Sequence, residues 1–148
     1  MAQLTGVRDP RVVDLWVRIA RAPSYGRRLQ AIWELGTWDE PPVVEALVGA
    51  LHTRPEELGA EDAASREMYA GMMCLSAAQT LAQSPRPTAL AALLGERDSS
   101  DDQVRLTVLG RLARLPPEQA RPHLERFAHD RYALVRSEAE RYLRELDR

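Results

Sequence analysis

Apolar residues recur along the chain at three- and four-residue spacing, with almost no alternating stretches, which points to helices and not strands. Asp9-Pro10 offers a cap and a proline at the first helical turn, after which Val12, Leu15, Trp16 and Ile19 share one face. Arg11, Asp14, Arg18 and Arg21 fall on the other face. Ala22-Pro23-Ser24 breaks this helix, and a second one through Leu29, Ile32, Trp33 and Leu35 is expected to stop at Gly36 in a left-handed conformation. Asp39-Glu40-Pro41-Pro42 opens a third, carrying Val44, Leu47, Val48 and Leu51. A polar stretch over 52–61 follows, then a long helix over about 62–83. Ser84-Pro85-Arg86-Pro87 leads into Leu90, Leu93 and Leu94, closed by Gly95. The loop 96–101 precedes Val104, Val108, Leu112 and Leu115, and Pro116-Pro117 resets the chain before Leu124 and Phe127. The last helix carries Leu134, Val135, Ala139, Leu143 and Leu146.

Short helices in pairs call for a search for an internal repeat. Aligning the second helix of each pair superposes Arg28, Cys74, Arg105 and Arg136, followed in each copy by a residue three further on (Ala31, Ala77, Val108, Ala139) and by Leu35, Leu81, Leu112 and Leu143. Cys74, Arg105 and Arg136 are each 31 residues apart, and Met73, Val104 and Val135 precede them. The pattern is apolar-Arg-x-x-small-x-x-x-Leu, in which the small residue admits a neighbouring helix and the Leu fills the layer between pairs. Arg28 and Cys74 are 46 residues apart, 15 more than the period, so the second copy carries an insertion near 53–67. An insertion in a repeat array is expected to emerge as a loop on one face.

Leu115-Pro116-Pro117-Glu118, with His129-Asp130-Arg131-Tyr132-Ala133-Leu134-Val135-Arg136, resembles a HEAT repeat of the bacterial phycobilisome-lyase-like kind. The likeness is closest over 86–148, fair over 9–36 and weakest over 41–83, with Arg27 where an apolar residue is usual and Cys74 where Arg is usual. It implies an all-α fold, a short right-handed α-solenoid of about four HEAT-like helix pairs. Their boundaries are approximately 9–38, 39–84, 85–115 and 116–148, within one domain spanning 1–148. In that family an Asp in the turn and an Arg early in the second helix form a hydrogen-bonded ladder between repeats. The resemblance carries that role to Asp130 with Arg136, and to Asp98 or Asp102 with Arg105. Pro122 matches the family's proline within a first helix.

The apolar fraction, 45% of 148 residues, suits one ordinary globular domain. No run approaches the roughly 18 apolar residues of a membrane helix. The first eight residues lack a secretory pattern, and a single cysteine forms no intramolecular disulfide, so a cytoplasmic address is expected. All 20 basic residues are arginine, which reads as a GC-rich coding sequence. Net charge is −2 but unevenly spread: +3 over 1–38, −8 over 39–102 and +3 over 103–148. The acidic middle argues against a nucleic-acid partner.

Chemistry-bearing residues form no catalytic or cofactor signature. Cys74 follows Met72-Met73 and reads as a small buried hydrophobe, and His123 and His129 are six apart, the wrong spacing for two ligands on one helical face. Asp98-Ser99-Ser100-Asp101-Asp102 lacks the Gly and the Glu of a calcium loop and reads as a turn with a helix cap. The acids Glu56, Glu57, Glu61 and Asp62 read as a solvated face. Trp16 and Trp33 occupy apolar helical positions and are expected in the core, whereas Trp38 lies in a loop where it could meet a partner.

These features, with the resemblance, imply no enzyme and no cofactor. The expected function is a non-catalytic protein–protein interaction or scaffold module, with Trp38, Arg27, Arg18 and Arg111 as partner-binding candidates. Uncovered apolar faces on the first and last helices offer a homodimer contact. Two alternatives compete: a nucleic-acid binder related in shape to alkylpurine DNA glycosylases, to which Trp33, Trp38 and Asp39 bear a loose likeness, and a bilin lyase.

Overall fold

Residues 9–38, 40–59 and 62–148 are described by a computed structural model, in which every regular element is helical. The helices are α1 (Pro10–Ile19), α2 (Tyr25–Leu35), α3 (Pro41–Leu51), α4 (Ala63–Ala82), α5 (Pro87–Gly95), α6 (Asp102–Leu112), α7 (Pro117–Phe127) and α8 (Ala133–Leu146). Pro55–Glu57 forms a 3₁₀ turn between α3 and α4. Four of these helices begin on proline, whose fixed φ suits the first turn and whose missing N–H would be unpaired there anyway. Three helices, α1 among them, follow an acidic cap: Asp9 accepts from the Arg11 N–H (2.9 Å), Asp62 from the Ser65 N–H (2.8 Å) and Asp101 from the Gln103 N–H (2.8 Å).

Consecutive helices pack in pairs, α1 with α2, α3 with α4, α5 with α6 and α7 with α8. Between pairs, even-numbered helices touch in order, α2 to α4 to α6 to α8, and odd-numbered ones touch along α1, α3 and α5. One continuous apolar cluster joins all four pairs. The small residues of the repeat, Ala31, Ala77, Val108 and Ala139, are fully buried between helices, as are Leu35, Leu81 and Leu112. Leu143, on the last helix, is only half-buried. Each fully buried leucine contributes about 1.5–3 kcal/mol.

The repeated arginines fasten the turn before each even helix. Arg28 donates to the Ala22 and Arg21 carbonyls. Arg105 donates to the Ser99 (2.7 Å) and Ser100 (3.3 Å) carbonyls, and Arg136 to those of Asp130 (2.8 Å) and Arg131 (3.0 Å). All three sit three residues after the first residue of their helix. Cys74 instead lies well inside α4, which the insertion has lengthened at its N-terminal end, so no turn lies within reach for an arginine to fasten.

The inserted segment is docked and does not stand out as a free loop. Leu58 is buried, the Gly59 N–H donates to the Pro23 carbonyl (3.0 Å), and Glu57 pairs with both Arg28 (3.2 Å) and Arg54 (3.1 Å). Glu57 is therefore half-buried and ion-paired, contrary to its expected place on a solvated face; Glu61 lies outside the described residues. Gly36 has φ −61°, right-handed, so it does not stop α2 through a left-handed turn. A Cβ there would lie 2.8 Å from Thr80 Cγ2, so its lack of a side chain lets α2 approach α4. Among the described residues, no helix is long and apolar enough to cross a membrane.

Candidate functional site

The outer face of the even-numbered helices holds the largest exposed aromatic side chain in the described chain. Trp33, expected in the core, is 61% exposed. The buried arc of α2 is already filled by Arg28, Ala31, Ile32 and Leu35, and Trp33 stands about 100° round from Ile32, outside it. On α4, the lengthened start exposes Met68 and Met72, one turn apart, while Met73 is completely buried. Tyr25 of α2 stacks on Tyr69 of α4 with ring centroids 4.2 Å apart, and its hydroxyl reaches Met72 Sδ at 3.6 Å. These contacts hold an apolar patch between the start of α2 and the first half of α4.

Two adjoining depressions run from Trp33 across the same face. One, of about 380 Å³, is walled by Trp33, Gly36, Thr37, Ser76, Gln79, Thr80 and Gln83. The next, of about 270 Å³, shares Gln79 and Gln83 and continues to Leu106, Thr107, Gly110, Arg111 and Arg114. Together they form a groove crossing α2, α4 and α6. Among the described residues neither depression has a carboxylate in its wall. Arg114 donates to the Ala82 carbonyl at the end of α4, whereas Arg111 makes no ion pair among the described residues. On α8, Arg141 is neutralised by Glu138 (2.5 Å) and Glu145 (2.8 Å).

Of the four partner-binding candidates read from the sequence, only Arg111 lies in this groove. Arg18 is exposed on α1, an odd-numbered helix, and Arg27 is exposed on α2 about a third of a turn away from Trp33. Trp38 is in the turn after α2, half-buried against the core, and walls a smaller apolar cavity of about 130 Å³ with Leu35, Val43, Val44 and Leu47. Asp39 lies outside the described residues. Leu15 on α1, expected on its buried face, is exposed, as are Tyr132 and Leu134 at the other end.

A third cleft, again about 380 Å³, lies between the turns that precede α6 and α8. Its charges are largely spent on one another. Arg105 grips Asp130 with two bonds, Nε to Oδ2 at 2.9 Å and Nη2 to Oδ1 at 3.0 Å. Arg126 pairs with Asp98 (2.6 Å), and Arg131 donates to the Ser99 and Ser100 carbonyls. The pairing therefore runs Arg105 to Asp130 across two helix pairs, not Arg105 to Asp98 or Asp102, and Arg136 meets Asp130 only through its backbone carbonyl. Asp102 begins α6 and acts on Arg105 only through its charge. Burial raises the Asp130 carboxyl, but the Arg105 bonds, the Tyr132 N–H and neighbouring positive charge outweigh it and hold it below the usual range. This cleft is a seam between pairs.

Cys74 is half-buried, and burial, aided by the charges of Glu96 and Asp101, pushes its thiol up to about 11. It stays protonated at neutral pH and is a poor nucleophile. Among the described residues, no three His, Cys, Asp or Glu side chains are grouped to hold a metal ion. No family model matches the chain, and no curated protein matches it.

Proposed function

We propose that this chain is a non-catalytic protein-binding module, a short right-handed HEAT-like α-solenoid whose even-numbered helices receive a partner. The observation that carries the reading is Trp33, exposed at one end of a groove that crosses three helices. An exposed Trp on a rigid helix is costly to leave in water and gives a large, low-entropy anchor when covered. Support for the solenoid comes from the ordered even-to-even and odd-to-odd contacts and from the turn-fastening arginines at Arg28, Arg105 and Arg136.

Nucleic acid fits this face less well. Two arginines at one end are a poor match for a phosphate backbone, which needs positive charge along its whole path. Affinity capture from native lysate tests the proposal. Wild-type protein should recover a stoichiometric protein that the Trp33→Ala variant does not. Equal recovery by both proteins, or recovery of nothing under gentle conditions, would count against it.

A further inference from the structure

We propose that the groove from Trp33 to Arg111 binds an acidic peptide segment that carries one bulky apolar or aromatic side chain. This rests on the protein-binding reading above and specifies the chemistry of the partner. Three features of the groove define it.

At one end, Trp33 is exposed and walls the groove, so a large apolar side chain laid there would remove it from water. In the middle, the walls are uncharged: Ser76, Gln79, Thr80, Gln83 and Thr107 present hydroxyls and side-chain amides. An amide group both donates and accepts, which matches the alternating N–H and C=O of an extended main chain. Gln79 in α4 and Gln83 at its C-cap border both depressions, so their side-chain amides can bond the peptide backbone where it crosses α4.

At the far end, Arg111 is a cation without an ion pair, in a wall that holds no carboxylate among the described residues. Arg114 beside it donates to the Ala82 carbonyl and keeps its charge, whereas Arg105 is neutralised by Asp130 and Arg141 by Glu138 and Glu145. Two cations without an ion pair among the described residues therefore stand at this end of the groove, which suits one or two carboxylates. Two helix spacings separate α2 from α6, roughly 20 Å. An extended chain covers that in about six residues, so the acidic group is expected about six positions from the apolar anchor.

A display library of random peptides roughly twelve residues long, enough to cross three helices, tests this directly. Selection on the wild-type protein should enrich peptides with Trp, Phe or Leu and, several positions away, Asp or Glu. Binding of the synthesised, fluorescently labelled best peptide should weaken at least tenfold in Trp33→Ala and in Arg111→Glu. It should weaken only a few-fold in Arg111→Gln, and it should fall as salt rises because an exposed ion pair is screened. Thermal unfolding of each variant keeps misfolding apart from lost contact.

Enrichment of neutral or basic peptides that still depend on Trp33 would overturn the acidic chemistry while leaving the protein-binding face intact. Peptides indifferent to both variants, or no enrichment at all, would overturn the groove itself. A labelled single-stranded oligonucleotide, run in parallel, would overturn the peptide assignment if it bound more tightly than the best peptide.

Discussion

Asp130→Ala removes one half of the most buried ion pair in the described chain and strands a guanidinium whose side chain is only 4% exposed. Breaking such a pair by deleting one partner costs about 3–5 kcal/mol, because the remaining charge is left without compensation in a poorly solvated place. Two local features fix the position within that range. Arg105 keeps its bonds to the Ser99 and Ser100 carbonyls, which lowers the cost. Against that, Asp130 Oδ1 also accepts the Tyr132 N–H at 2.8 Å ahead of α8, and losing a bond of this capping kind adds about 1 kcal/mol. We expect a loss of about 4 kcal/mol, a large share of the roughly 5–15 kcal/mol of a single domain. The melting temperature should fall by roughly 8–16 °C at about 2–4 °C per kcal/mol. Urea and thermal unfolding followed by circular dichroism provide the measurement, with Glu138→Ala, which breaks an exposed pair worth less than about 1 kcal/mol, as the reference. The double variant Arg105→Met/Asp130→Ala should recover part of the loss, since no buried charge is then stranded. Asp130→Ala no less stable than Glu138→Ala would refute the reasoning.

Acid titration gives a related test. A carboxyl held below its ordinary range contributes stability above the unfolded value and loses it as pH falls through the folded one, so wild-type protein should lose stability more steeply than Asp130→Asn below about pH 4. Cys74 should react slowly with a thiol reagent at neutral pH and fully once the protein is unfolded; rapid stoichiometric labelling of the native protein would contradict its raised thiol. Gly36→Ala should cost about 1–3 kcal/mol through its approach to Thr80 Cγ2, and Gly36→Ala/Thr80→Ser should regain most of it by removing that methyl. Gly110→Ala, with a Cβ no closer than 4.0 Å to Tyr142, should be neutral or stabilising by up to about 1 kcal/mol. Trp33→Phe should remove the most red-shifted, acrylamide-quenchable part of the fluorescence and leave the emission of fully buried Trp16 and half-buried Trp38; unchanged quenching would mean that Trp33 is not exposed.

Helix order and pairing were legible because they depend on local signals: prolines at first turns, acidic caps and a three-to-four apolar period. The 31-residue spacing placed Cys74, Arg105 and Arg136 at matching points of successive pairs. Which carboxylate meets Arg105 was not legible, since Asp98, Asp102 and Asp130 are all near turns and only the stacking of pairs brings Asp130 within 2.9 Å. The functional face was harder still. Trp33 sits at a spacing that fits a buried stripe, and its exposure follows from Arg28 occupying the buried arc of α2 to fasten the preceding turn. A helical wheel that counts Arg28 as buried would have placed Trp33 outside. Trp38 drew attention as a loop residue, yet it packs against the core because the turn folds back over α3.

Site-specific photo-crosslinking in cells of the native host reads out whether a partner sits on the even-numbered helices. A photoreactive phenylalanine analogue placed at position 33, on the outer face of α2, is compared with the same residue at position 45, exposed on α3. Position 33 should give a discrete crosslinked protein and position 45 none. A crosslink from position 45 alone, or none from position 33, would contradict a binding surface on the even-numbered helices.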